Sequence, residues 1–236
     1  EAERRYLALM PEGQVPKLFY LKNLARAKRS LGELSMKNGR YSSAMNFFSE
    51  SSAYLRAVRK YQESETLSAS TGIQENSLAI IECERILNNV DAALDGSRSI
   101  GVQLLQMQEQ NPEDDRVIAA LAKSFSIGGR VLEDQGQGEK AIEAYQQASN
   151  LYAKAVKLNS AVDDYQLGLG NSLARVGLLK NDLEKLQAAS DVLAKVIPSN
   201  PYEPVYQKTL AEVFGVMARN QRDGGQPKKA IELEEK

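Results

Sequence analysis

The sequence predicts an all-α fold in which antiparallel helical hairpins stack into a solenoid, and three observations predict it. Ala, Leu, Glu, Lys and Gln dominate the 236 residues, and these side chains lose little entropy in a helix. Aromatics supply only 6%, too few for a large all-β core. Third, a helix–connection–helix pattern recurs: "LGELSMKNGRYSSAMNFFSES" (31–51), "GGRVLEDQGQGEKAIEAYQQA" (128–148) and "LARVGLLKNDLEKLQAASDVL" (173–193) align without a gap. A degenerate copy, "IIECERILNNVDAALDGSRSI", lies between the first two, and a truncated one, "MARNQRDGGQPKKAIELEEK", closes the chain. The small or Leu residue early in each second helix marks the repeat at Ala44, Ala93 (or Leu94), Ala141, Leu186 and Ala230, at intervals of 49, 48, 45 and 44 residues. One hairpin cannot bury its apolar face alone, whereas a stack shares a continuous core.

The elements follow in order. Residues 2–10 read as the end of an earlier helix, with "PEGQVP" as its connection. Helices are then expected over 17–37 and 41–65, turned by Asn38-Gly39, because Gly adopts positive φ without strain. Ala44, Phe48, Ser51 and Leu55 line one face of the second helix. "SETLSAST" (64–71) is the least regular stretch and separates this pair from helices at 73–88 and 90–109. "QNPEDD" stops that helix at Pro112 and supplies Glu113, Asp114 and Asp115 to the next helix start, where carboxylates meet unpaired N–H groups. The third pair, 113–134 and 138–158, turns at Gln135-Gly136 and carries Ala141, Tyr145, Ala148 and Tyr152 on one face. "NSAVDD" (159–164) starts the fourth, 163–180 and 182–196, with Leu186, Ala189, Leu193 and Val196 inward. "PSNPYEP", with Pro198, Pro201 and Pro204, separates it from a helix at 202–222, and a last, short helix begins near Pro227. Gly168, Gly170 and Gly177 inside a helical pattern are expected to be close-packing points rather than hinges. Residues 1–236 read as a single repeat domain, and an opening "EAERRYLALM" with a close partway through a helical pattern predicts a segment of a longer protein.

These residues resemble tetratricopeptide (TPR) repeats, on Leu31, Gly32, Gly39, Ala44 and Phe48 and their copies Gly129, Gly136, Ala141 and Tyr145, with Pro198 in the end-of-unit place. The resemblance spans roughly 17–236 and is weak over 72–110, where no Gly marks the junction and Ile81 or Glu82 replaces the small residue. The repeats are longer than that family's usual length of about 34 residues. Trp is absent, with Phe125 and Phe214 as substitutes. Long units of this kind are similar to repeat regions of large bacterial multidomain proteins. The resemblance implies a right-handed superhelix whose first helices line a concave face that holds a peptide or partner helix.

The composition excludes much chemistry. With no His there is no His-based triad, imidazole acid–base catalysis or ordinary His-containing zinc site. The lone Cys83 cannot form an internal disulfide and has no His to activate it. "GLGNSLARVG" lacks the preceding strand of a phosphate-binding loop, and the acidic pairs lack a calcium-loop pattern. No catalytic residue, metal or cofactor is expected. A net charge of −1 gives no global field for nucleic acid, and the Tyr residues of "YLRAVRKYQ" (54–62) are expected to pack rather than stack on bases. No stretch reaches the roughly eighteen apolar residues of a membrane span.

The expectation is a cytoplasmic, non-catalytic protein-interaction scaffold. First-helix surface positions are Arg26, Arg29, Glu33 and Met36; then Lys123, Ser126, Arg130 and Glu133; then Asn171, Arg175 and Leu178; then Arg219 and Arg222. Arg29, Arg130, Arg175 and Arg219 form an interrupted basic stripe suited to an acidic or phosphorylated peptide, since guanidinium grips such groups through paired hydrogen bonds; the interspersed Glu residues are the rival way of neutralising it. Those residues do not reproduce the family's clamp for chaperone tails. The alternative is a structural module that self-associates into a homo-oligomer through its end repeats or convex face.

Overall fold

The computed structural model describes residues 14–199 and 204–234. The described residues form ten α-helices and no strand: α1 (Gln14–Lys37), α2 (Tyr41–Tyr61), α3 (Thr66–Ile86), α4 (Val90–Gln110), α5 (Asp115–Asp134), α6 (Gly138–Leu158), α7 (Asp163–Lys180), α8 (Leu183–Val196), α9 (Pro204–Asp223) and α10 (Pro227–Glu234). The helix expected at 2–10, most of its connection, and Pro201 lie outside the described residues.

One turn closes all five hairpins. Gly39, Asn88, Gly136, Asn181 and Gly225 all have left-handed backbone, with φ of 70°, 64°, 71°, 53° and 73°. Each stands five residues before its repeat marker. The following N–H reaches back to a carbonyl five residues earlier: Arg40 to Ser35, Asn89 to Glu84, Gln137 to Leu132, Asp182 to Gly177 and Gln226 to Gln221, at 2.8–2.9 Å. This bond satisfies a carbonyl that the helix end would otherwise leave unpaired. The second pair, which lacks a junction Gly, therefore makes the same turn with Asn88, the residue type that tolerates this conformation best after Gly. It also fixes the second marker as Ala93, fully buried, rather than Leu94.

Packing between the two helices of a pair is a matter of complementary size. A Cβ on Gly32 would lie 2.7 Å from the Phe48 ring, and one on Gly129 would lie 2.8 Å from the Tyr145 ring. Only a bare backbone admits these rings. In the fourth pair the same two places hold Ala174, larger than the Gly, and Ser190, smaller than the ring, both buried. There the marker is Leu186 instead of Ala, and its side chain lies 2.8 Å from where a Cβ on Gly177 would stand. The degenerate pair inverts the arrangement: Ile81 occupies the Gly32 place, and the glycine is on the partner helix, Gly96, at 2.9 Å from Ile81. Gly168 and Gly170 are likewise filled by the Tyr152 ring and Leu193. Total volume is kept while its division changes, which is how cores tolerate substitution.

Residues 1–96 and 97–236 form two compact units. In the first, α1, α2 and α3 pack through Leu21, Val58 and Ala69 and through Ala44, Phe48 and Cys83. A buried polar chain ties the same helices: Asn76 Nδ2 donates to Ser51 Oγ at 2.9 Å, and Ser51 Oγ donates to the Ala25 carbonyl at 2.8 Å. The second unit is centred on Ile118, Ala122, Ala148, Tyr152 and Tyr165, and continues through Ala174, Leu186, Val213 and Phe214. At its start Asp114 caps α5, accepting from the N–H groups of Arg116 and Val117, both at 3.0 Å. Asp115 does something the sequence did not announce: its Oδ2 accepts from Asn159 Nδ2 at 3.0 Å and from the Tyr165 hydroxyl at 3.1 Å, pinning α5 to the end of α6 and to α7.

Two helix boundaries differ from expectation by more than three residues. α2 ends at Tyr61, four residues early, and α3 begins at Thr66, seven residues early, so most of "SETLSAST" is helical. The break is the extended residue Gln62, followed by one 3₁₀ turn, Glu63–Glu65. Glu63 and Glu65 favour a helix start, and the buried faces of Ala69 and Thr71 outweigh the loop-like Ser and Thr content.

Candidate functional site

Within the second unit α7 packs on its partner α8, on α6 and on α9, which leaves part of its surface facing outward. Three expected surface positions turn inward instead. Met36 packs on Ala44 and Phe48, Leu178 joins the cluster around Ala174 and Leu186, and Ser126 is buried. The charged residues remain at the surface.

Arg29 belongs to the first unit and is engaged at both ends. Its Nε donates to Glu33 at 3.1 Å, and its Nη1 donates to Glu75 on α3. Burial works against its charge, but the Glu75 and Glu33 carboxylates together outweigh this and hold the guanidinium protonated above its ordinary range.

Arg130, Arg175 and Arg219 lie in the second unit, on α5, α7 and α9, each eleven residues before its marker. Arg29 stands fifteen before its own marker; the equivalent place there is Glu33, and in the second pair Glu82. The common register therefore carries carboxylates in the first unit and guanidiniums in the second. Glu82 is paired with Arg85 at 3.1 Å.

The half-buried Glu133 is the hub of the second unit. One oxygen accepts from the hydroxyl of the fully buried Tyr145 at 2.9 Å, and the other accepts from Arg175 Nη2. Burial, then the Glu133 charge, push the Tyr145 phenol far above its usual range, while Arg175 and Arg130 oppose the shift. Burial disfavours the Arg175 charge, but Glu133 and Tyr145 together more than restore it. On its other side Arg175 Nη1 lies 3.7 Å from Glu212 on α9, and Glu212 lies 3.9 Å from Lys208. Asn171 accepts from Thr209 at 3.4 Å, a second tie between α7 and α9. Arg219 is exposed and has no ion pair among the described residues. The charges alternate across consecutive first helices, Glu133 on α5, Arg175 on α7 and Glu212 on α9, and the exposed Arg219 stands about two turns further along α9.

The partners Glu75 and Glu212 were missed from sequence, although both stand eighteen residues before their markers. Tyr145 read as a packing residue; its hydroxyl also orients Glu133. Among the described residues no group of three or more His, Cys, Asp and Glu side chains could hold a metal, and no helix is long and apolar enough to cross a membrane. Cys83 is fully buried, and burial, with Glu82 and Glu84 nearby, raises its thiol to about 11.

No family model matches the chain, and no curated protein matches it. Solved structures do. A putative kinesin light chain from Podosopora anserina with nearly identical TPR-like repeats superposes with a TM-score of 0.51 at 18% identity, covering 91% of this chain and 93% of the other. A thermophilic TPR protein from Thermus thermophilus matches with a TM-score of 0.44 at 16% identity over 89% and 87% of the two chains. The first likeness agrees with the hairpins and turns described above: the fold is an all-α repeat of TPR-like hairpins.

Proposed function

We propose that this chain of TPR-like hairpins is a non-catalytic, cytoplasmic protein-interaction scaffold that receives an acidic peptide or partner helix on the first helices of its second unit. The observation that carries the reading is the shared register of Arg130, Arg175 and Arg219 on α5, α7 and α9, with Arg219 exposed. Stacked hairpins hold these long side chains on rigid backbones at repeating intervals, so little of the ordering cost falls on binding. Arg29, in the first unit, is held by Glu33 and Glu75 and plays a structural part in this reading.

Fluorescence anisotropy with two labelled peptides of equal length, one Glu-rich and one Lys-rich, tests it. The acidic peptide binds, with affinity falling as salt rises, and Arg219→Ala weakens it about fivefold, the loss of one partly exposed charge pair. Equal binding of both peptides, or an unchanged Arg219→Ala, contradicts the reading. A second reading, self-association, rests on Val102 and Leu105, 57% and 42% exposed and one turn apart on α4. Light scattering over a concentration series checks it: a mass that stays monomeric removes it.

A further inference from the structure

We infer that Arg175 is an exchange site, at which a carboxylate of an acidic peptide takes the place of Glu212. The inference rests on the peptide-binding reading and specifies how that binding is gated. Arg29 and Arg175 are both ion-paired across helices but differ in one respect. Arg29 donates through Nε to Glu33 and through Nη1 to Glu75, so both edges of its guanidinium are hydrogen-bonded. Arg175 makes a hydrogen bond to a carboxylate on one side alone, through Nη2 to Glu133. Its Nη1 faces Glu212 at 3.7 Å, a separation at which opposite charges attract but no hydrogen bond forms. Its Nε is buried and has no acceptor among the described residues. The outward Nη1 edge of the fork thus lies beside a carboxylate that does not reach it, while Nε stays buried on the other edge.

The two carboxylates around Arg175 are held differently. Glu133 is fixed by the Tyr145 hydroxyl and only about a quarter exposed. Glu212 is 41% exposed and leans on Lys208 of its own helix at 3.9 Å, a cation that stays beside it after it leaves Arg175. Glu133 is therefore the fixed anchor that aims the guanidinium, and Glu212 is the resident competitor. An incoming carboxylate that reaches 2.7–2.9 Å, the usual charge-assisted range, gains the hydrogen bonds that Glu212 leaves unmade. Arg219, one repeat further along the same register, meets a second carboxylate of the same peptide.

The test uses the whole chain and a labelled Glu-rich peptide, with a free and with an amidated C-terminus, read by anisotropy. Glu212→Gln removes the competitor and is expected to tighten binding about fivefold. Glu143→Gln, which removes an exposed charge from α6 of the same unit, leaves affinity unchanged. In an Arg175→Ala background the gain from Glu212→Gln disappears. A gain with both peptides assigns the entering carboxylate to side chains, and one confined to the free form assigns it to the chain end; either supports exchange. If the peptide binds the wild type but Glu212→Gln binds it no better, or Glu143→Gln tightens it as much, exchange is wrong while peptide recognition stands. If neither the wild type nor Glu212→Gln binds the peptide, both readings fall.

Discussion

Replacing Gly129 by Ala sets two effects of opposite sign against each other, and the structure contains the control that separates them. In a helix interior Ala is favoured over Gly by about 1 kcal/mol. At Gly215, mid-helix in α9, an added Cβ meets nothing within 4 Å, so Gly215→Ala should realise that gain in full. At Gly129 the added Cβ stands 2.8, 3.0 and 3.0 Å from three carbons of the Tyr145 ring. That ring is fully buried and its hydroxyl is tethered to Glu133, so it cannot swing aside. Overpacking of this kind costs about 1–3 kcal/mol. The propensity gain is common to both substitutions, so their difference isolates the clash: Gly129→Ala should fall about 1–3 kcal/mol below Gly215→Ala. Urea unfolding followed by circular dichroism, with midpoints compared at equal slope, measures it. Gly129→Ala as stabilising as Gly215→Ala would refute the claim that a bare backbone is needed beneath the ring.

Other consequences can be checked with the same assay. Asn88 has a left-handed backbone, so Asn88→Gly should cost nothing, whereas the β-branched Asn88→Val should lose about 1–2 kcal/mol; equal stability of the two would remove the turn from the account. Asp115→Ala and Tyr165→Phe each break the same bond, so a double-mutant cycle should show coupling of about 1–2 kcal/mol, and additivity would mean the bond is not made. For Cys83 the folded thiol, raised to about 11, binds its proton more tightly than the unfolded one at 9.0. The stabilisation is therefore complete below pH 9 and is lost as pH rises toward 11, by about 2–3 kcal/mol. Cys83→Ala should flatten that part of the stability–pH curve, and an unchanged slope would show that the thiol is not the cause.

The fold was legible where a residue type is dictated by backbone geometry. Gly39 and Gly136 announce their turns because few other residues adopt positive φ, whereas the turns at Asn88 and Asn181, expected at the breaks after 88 and 180, use Asn in the same backbone conformation. Helix pairing was legible at Gly32–Phe48 and Gly129–Tyr145, where a small residue faces a ring. It was lost at Ile81–Gly96, because complementary volume does not say which helix carries the small residue. The 64–71 stretch misled because its Ser and Thr look loop-like, while the burial of Ala69 and Thr71 that makes it a helix is a tertiary effect. At the site, the arginines were visible as residues but their partners were not. Glu75 and Glu212 lie on neighbouring first helices 46 and 37 residues away from Arg29 and Arg175, and only the stacking of hairpins brings them together. Met36, Ser126 and Leu178 show the converse: a surface frame inherited from shorter repeats misplaces residues that the long helices bury.

The claim that first helices present the binding residues is tested most directly by backbone amide NMR of the whole chain titrated with the Glu-rich peptide. The account predicts shift changes gathered on α7 and α9 around Asn171, Arg175, Glu212 and Arg219, with α6 and α8 silent. Changes centred on the second helices instead, around Glu143 or Lys185, would contradict it.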